Sequence, residues 1–231
     1  FNNLDIKVAE SKDILSQFSP KIRNFLESNI IKSSIYELFP YSSPTYDSDL
    51  SLAEIKEMLF EIVEEESMEE DAIISWDPRG ITLELKGNVS FKKGSVELHP
   101  KMEALLENMM PKLFNNIKDL RNIIVEGHSD NQKIKGELAK KYPSNWELSS
   151  ARASVVVNKI INKSIELAKE GKIEKEYADG RVSGRLFAAG YADQWPADLS
   201  YEDRRIEKIN KKIINQYNLS EELKSKNRRI K

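Results

Sequence analysis

Ile123-Ile124-Val125-Glu126-Gly127-His128-Ser129-Asp130 and, a little further on, Ser144-Asn145-Trp146-Glu147-Leu148-Ser149-Ser150-Ala151-Arg152-Ala153 are the stretches on which the fold turns. In the first, three aliphatic residues run into a glycine, which reads as a short buried strand ending at a turn. In the second, Ser144 and Glu147 have the spacing of a capping box, and Leu148, Ala151, Val155 and Ile160 carry an apolar helix face onward.

The same pattern extends in both directions. Upstream, Leu98, Met102, Leu105, Leu106, Met109 and Leu113 predict an amphipathic helix, which Pro111 is expected to break or kink near its end. Before it, Ile81, Leu83 and Leu85 alternate with Thr82, Glu84 and Lys86, the period of a half-buried strand. Asp77-Pro78-Arg79-Gly80 reads as a turn, and Ala72 to Trp76 as one more strand. Downstream, Leu186-Phe187-Ala188-Ala189 before Gly190 predicts a third core strand. The order is strand, helix, strand, helix, strand. It predicts an α/β (α+β) sandwich, a β-α-β-α-β core with helices on one face of a mixed sheet.

The N-terminal part has a different character. Apolar residues of 1–40 fall at helical spacing, and the prolines of Phe39 to Tyr46 predict a loop. Ser51 and Glu54 form a capping pair for a helix with Leu52, Ile55, Leu59 and Ile62 on one face. The acidic run Glu64-Glu65-Glu66 with Glu69-Glu70-Asp71 reads as a solvated face or linker, since its spacing is not that of a calcium loop. The expected organisation is a helical region over 1–71, linker- or plug-like, and one domain over 72–231. Ile206, Ile209, Ile213 and Ile214, among Lys208, Lys211 and Lys212, predict a helix over 203–216 packed on the domain edge.

Bulk composition narrows the function classes. With 39% hydrophobic and 32% charged residues the chain can build a core, and its net charge of −2 gives no basic field for nucleic acid. There are no cysteines and only two histidines, His99 and His128. That removes a thiol nucleophile and a Cys-ligated metal, and leaves His128 without a catalytic constellation. His128 therefore reads as a loop-packing residue. Trp146 reads as buried against the core, with Trp195 less constrained. No run of about 18 apolar residues is present to span a bilayer. The chain begins at Phe1, so an anchor or export signal is expected upstream of it.

Four motifs stand in order: Gly127-His128-Ser129-Asp130, Leu148-Ser149-Ser150-Ala151-Arg152-Ala153, Gly190-Tyr191-Ala192 and Asn227-Arg228-Arg229. They resemble the GHTD, LSxxRA, GYG and NRR signatures of the OmpA-like peptidoglycan-binding domain. The stretch from Ser144 to Ala153 looks like the MotB/PomB flagellar stator B subunits in particular, and Phe91 to Leu98 resembles that family's segment before its first domain helix. The match covers about residues 76–196 and 227–230. The region 163–185 is longer than the family pattern, and 199–226 is an apparent helical insert.

The resemblance implies non-catalytic binding of peptidoglycan, with no cofactor and no metal. It implies a periplasmic domain tethered to the inner membrane, a membrane partner of the stator A type, and a homodimer. The Asp of GHTD and the Arg of LSxxRA are the family's ligand pair, which carries over to Asp130 and Arg152. The ligand is the stem-peptide end, of diaminopimelate type, with an ammonium and a carboxylate on one carbon. Asp130 would take the ammonium, and Arg152 would fork onto the carboxylate. Helix N-terminal amides near Ser144 to Glu147 would favour the anionic end. Asn145, Arg228 and Arg229 are further candidates, though Asn145 serves equally as a cap and the Arg pair as strand decoration. Two readings compete with the flagellar one: an outer-membrane or Pal-type lipoprotein anchor, and a non-flagellar, stator-like defence complex. A wall hydrolase would need paired carboxylates or a metal.

Overall fold

Alternating Ile81, Leu83 and Leu85 do build a strand, and the turn before it makes a hairpin. In the computed structural model, β1 (Ala72–Asp77) runs antiparallel to β2 (Gly80–Lys86), with Asp77 opposite Gly80. The residues described are 52–77, 79–116, 122–175, 177, 182–199 and 209–231. The helical reading of 1–40, the loop of 39–46, the Ser51 cap and the 203–208 half of the insert helix lie outside them. Gly80 holds φ at +145°, a region open to glycine and strained for other residues.

Five strands form one sheet in the order β1-β2-β5-β3-β4. β3 (Ile123–His128) and β4 (Leu186–Ala192) pair in parallel. The C-terminal β5 (Arg229–Ile230) slots between β2 and β3, antiparallel to both, and makes the sheet mixed. β3 thus has a neighbour on each side. Val125 faces the core, while Ile124 is 43% exposed on the opposite face together with Ile73 and Phe187. The aliphatic run is therefore an interior strand with one open face, not one buried on both.

Three helices cover the core face: α1 (Leu52–Glu65), α3 (Pro100–Asn116) and α5 (Asn145–Lys169), with the short α2 (Gly87–Ser90) between β2 and α3. Ile62, Leu105, Leu106, Met110, Val156, Ile160 and Leu167 are buried in one cluster with Leu85, Val125 and Ile230 of the sheet. Each such side chain contributes about 1.5–3 kcal/mol by leaving water. α3 opens at Pro100, where a missing N–H costs nothing, and Pro111 lies inside it without ending it. The carbonyl that loses its partner belongs to the exposed Glu107, where water can serve it, and Leu113 and Phe114 stay buried beyond.

The two family departures become structural elements. α5 runs through the start of the longer region, and the following chain returns Ile173, Tyr177 and Val182 to the core, Tyr177 lying 5.1 Å from Phe114. The helix expected over 203–216 is not continuous: Ile209 and Asn210 are not helical, and α6 (Lys211–Gln216) begins at a cap on Asn210, whose side chain accepts from the Lys212 and Ile213 amides. α7 (Glu221–Asn227) is capped by Ser220 and delivers the chain to β5. The short α4 (Gly136–Lys141) bridges β3 and α5.

Candidate functional site

The carboxyl end of β3 sets Asp130 in place. Ser129 donates its amide to the Ala192 carbonyl at 2.8 Å, tying the loop after β3 to the end of β4. Asp130 is 5% accessible. Its Oδ1 accepts the Gln132 amide at 2.9 Å, an Asx-type turn, and its Oδ2 accepts from Arg228 Nη1. Asn145 Nδ2 donates to the carbonyls of Asp130 and Gln132, each at 3.0 Å. Ser144, not Asn145, is the helix cap: its side chain accepts the Trp146 amide, and Glu147 returns a bond to the Ser144 amide at 2.9 Å. Asn145 is left to brace the loop that carries Asp130.

α5 approaches the sheet very closely, and two glycines permit it. A Cβ on Gly127 would overlap the Ser149 carbonyl oxygen, and one on Gly190 would overlap the Ser150 hydroxyl. The fully buried Ser149 locks the contact, accepting the Ala192 amide at 3.1 Å and donating to the Trp146 carbonyl at 3.2 Å. This approach brings Arg152 beside Asp130 without pairing the two. Arg152 donates through Nε and Nη2 to the Ser95 carbonyl, at 3.2 and 2.9 Å, with its guanidinium 4.9 Å from the centre of the Phe91 ring. Burial lowers its pKa, the charge of Arg228 lowers it further, and Asp130 opposes both. Three charged groups thus share one field: two guanidiniums and one carboxylate. Two of the N–H groups of Arg152 are spent on Ser95, out of the five a guanidinium carries.

The two C-terminal arginines part company. Arg228 stands half-buried at the Asp130 side. Arg229 is buried on the other face, its Nε 3.0 Å from Glu84 Oε2 and its Nη2 donating to the Trp195 carbonyl at 3.1 Å. Arg229 therefore braces the sheet away from the Asp130 cluster. Ser95, Phe91, Asn218 and Asn227 complete the cluster, and sequence reasoning had not marked them for the site. Asn227 donates to the Tyr217 carbonyl and to Asn218 Oδ1, and accepts the Ala197 amide at 2.7 Å. Asn218 in turn accepts the Asn131 amide, at 3.3 Å. The signal for Asn227 was its place directly before the arginine pair.

On the open sheet face a second charged group is packed away. Glu126 pairs with Arg79 at 2.5 Å, and His128 Nε2 lies 3.6 Å from Glu126 Oε2. Burial alone would raise the Glu126 carboxyl. The pull of His128 and the bond and charge of Arg79 outweigh it and hold the value at about 2. Burial lowers His128 to about 4 against the pull of Glu126. The imidazole stacks on Tyr191 with centroids 5.1 Å apart. It packs at the end of a strand instead of in a loop. Trp146 is 51% exposed, against the expectation of burial, because it projects from the solvent side of the first turn of α5. Trp195 meets Tyr191 edge-on and donates its indole N–H to the Leu199 carbonyl at 3.2 Å.

Comparison with known proteins gives likenesses of three kinds. The family model described as the OmpA family matches residues 90–209. The uncharacterized protein YtxE of Bacillus subtilis (strain 168) is 33% identical over 142 residues, covering 59% of this chain and 50% of that protein. Motility protein B of the same organism is 26% identical over 102 residues, covering 44% of this chain and 37% of its own length. The chain thus spans half or less of the length of these curated relatives. Among solved structures, a putative MotB-like protein from Desulfovibrio vulgaris superposes with a TM-score of 0.51 at 19% identity, covering 78% of this chain and 87% of that one. At that identity the likeness speaks for the fold alone.

Proposed function

This chain belongs to the OmpA family, and from that premise we propose that it binds peptidoglycan without catalysing a reaction, as the wall anchor of an ion-driven stator subunit. The observation that carries the reading is the cluster of Asp130, Arg152 and Arg228 at the carboxyl end of β3 and the start of α5. Its charges sum to +1. A zwitterionic stem-peptide end, of the diaminopimelate type, is its natural ligand. The ligand carboxylate meets Arg152, already aimed by Ser95 and Phe91, with Arg228 close by. The ligand ammonium meets Asp130, which the Gln132 amide and Asn145 hold in place. Charge-assisted bonds of this kind are about twice as strong as neutral ones.

The domain would lie outside the cytoplasm, tethered to the inner membrane. It would work as a homodimer beside a membrane partner of the stator A type. The likeness to Motility protein B favours that setting over an outer-membrane lipoprotein anchor. The test is co-sedimentation with purified sacculi. The protein should pellet with the wall, and free diaminopimelate should release it. A protein that stays in the supernatant at physiological salt overturns the proposal.

A further inference from the structure

Beside Asp130 lies a cleft of about 300 Å³ that the charged cluster does not use. One wall is Asn131 with Asp193 and Gln194, from the loops after β3 and β4. The other is Asn210, Lys211 and Asn215, all from the 199–226 insert. We infer that this cleft is a second subsite of the ligand groove, and that it takes a stretch of peptide chain continuing from the group held at Asp130 and Arg152. The inference rests on the peptidoglycan reading above and adds to it where the peptide runs and which residues select it.

Three features carry it. The first is continuity. Asn131 directly follows Asp130, and its side chain donates to Asn215 Oδ1 at 2.9 Å, so the insert wall is tied to the loop that bears the ligand-binding acid. The buried Asn218 fastens the same two elements, through the Asn131 amide at 3.3 Å and the Ile214 carbonyl at 2.7 Å.

The second feature is the chemistry of the lining. Asn131, Gln194, Asn210 and Asn215 are carboxamides. Asn131 donates to Asn215, Gln194 donates to Asp193 and Asn210 accepts the cap amides of α6. What remains for a ligand is the amide oxygens of Asn131 and Gln194 as acceptors and the amide nitrogen of Asn215 as donor. That is the complement of a peptide unit, which also offers one N–H and one C=O. Asp193 and Lys211 cancel in charge, so the cleft does not demand an anion or a cation. Its lining has no aromatic residue on which a sugar ring could stack. A peptide fits these walls better than a glycan does.

The third is size and origin. The volume is at the lower end of small-ligand sites, roughly 300–1,000 Å³, which suits a short peptide segment and not a folded partner. Four of the seven lining residues, Asn210, Lys211, Ile214 and Asn215, come from the 199–226 segment.

Isothermal calorimetry with three soluble probes tests it: free diaminopimelate, a sugar-free stem peptide containing it, and the same stem peptide carrying its disaccharide. The wild-type protein should bind the stem peptide about tenfold or more tighter than free diaminopimelate, with little further gain from the sugars. Lys211→Ala and Gln194→Ala, both in the cleft wall, should remove that gain and leave affinity for free diaminopimelate as it was. Equal binding of peptide and free diaminopimelate by the wild type overturns the inference. So do variants that change neither affinity or both alike, and so does a gain that appears only with the disaccharide. If the wild type binds none of the probes, the charged cluster itself has been misread and the subsite falls with it.

Discussion

Arg228 reaches Asp130 across 98 positions of sequence, and its Nη1 donates to Oδ2 of a carboxylate that is 5% accessible. Arg152, on α5, binds the Ser95 carbonyl instead. The acid of the proposed ligand pair thus has a resident base of its own. An incoming ammonium shares Asp130 with Arg228, while an incoming carboxylate finds two guanidiniums close together. Anion recognition is favoured over cation recognition at this site.

Removing Arg228 should destabilise the fold. Arg228→Ala leaves a nearly buried carboxylate with the Gln132 amide as its main partner. A fully buried pair would cost more, but the arginine side chain is 37% exposed, so about 1–3 kcal/mol is expected. Arg228→Lys should recover part of this, since the charge returns without the planar fork. Urea unfolding monitored by circular dichroism measures both. An unchanged midpoint for the alanine variant would show that the pair is a surface contact of no consequence.

Acid should destabilise the domain in two stages. The folded value of His128, about 4, lies below its ordinary 6.5, so the unfolded chain takes up that proton first. Its contribution is complete above 6.5 and is lost as pH falls toward 4. Glu126, held at about 2 against an ordinary 4.5, contributes fully above 4.5 and loses that contribution below it. Unfolding midpoints measured from pH 7.5 down to pH 3 should fall throughout. In His128→Gln the upper limb, between about 6.5 and 4, should flatten. A wild-type midpoint constant over that limb would contradict the buried, neutral imidazole.

Gly127→Ala should be among the most damaging single changes in the domain. The added methyl overlaps a backbone carbonyl, Ser149 O, which cannot rotate away as a side chain would. α5 must lift from β3, and the cost is expected at about 2–4 kcal/mol, at the upper end for overpacking. The shift would also carry Asn145 and Arg152 away from Asp130. A thermal melt indistinguishable from wild type would mean that the helix sits further from the sheet than described.

What the sequence made legible follows from what is local. β3, α5 and the Ser144–Glu147 capping box depend on residues a few positions apart, and they stand as read. Arg228 and Arg229 could not be told apart, because which of two adjacent arginines faces Asp130 depends on strand register. That register is fixed by Arg229 pairing with Lys86 on one side and His128 on the other, far away in sequence. The anchoring of Arg152 was invisible for another reason, since its partner is the backbone carbonyl of Ser95, which no side-chain identity reports. Pro111 does not end α3, because a local helix breaker is outweighed by the burial of Leu113 and Phe114 beyond it. Trp146 misled because a large aromatic residue in a capped helix says nothing about which side of the first turn it occupies.

Arg152 should carry the largest share of ligand binding. Arg152→Ala deletes the guanidinium that Ser95 and Phe91 aim at the site and leaves Asp130 nearer to an anion it repels. Losing such a charge-assisted contact costs about 2–4 kcal/mol, roughly thirty- to several-hundred-fold in affinity. Arg152→Lys should behave closer to alanine than to wild type, because a single ammonium cannot hold the Ser95 carbonyl and a ligand carboxylate in one fixed geometry. Asp130→Asn should lose less, since the amide oxygen still accepts from the ligand ammonium and both arginines remain. Asn145→Ala should fall between them by loosening the loop at Asp130 and Gln132, with little change in the overall melt. Co-sedimentation with sacculi at physiological salt, on variants first shown to melt as wild type does, ranks all four. A folded Arg152→Ala protein that binds the wall as tightly as wild type would mean that Arg152 serves the fold, tying α5 to Ser95, and that the ligand is held elsewhere.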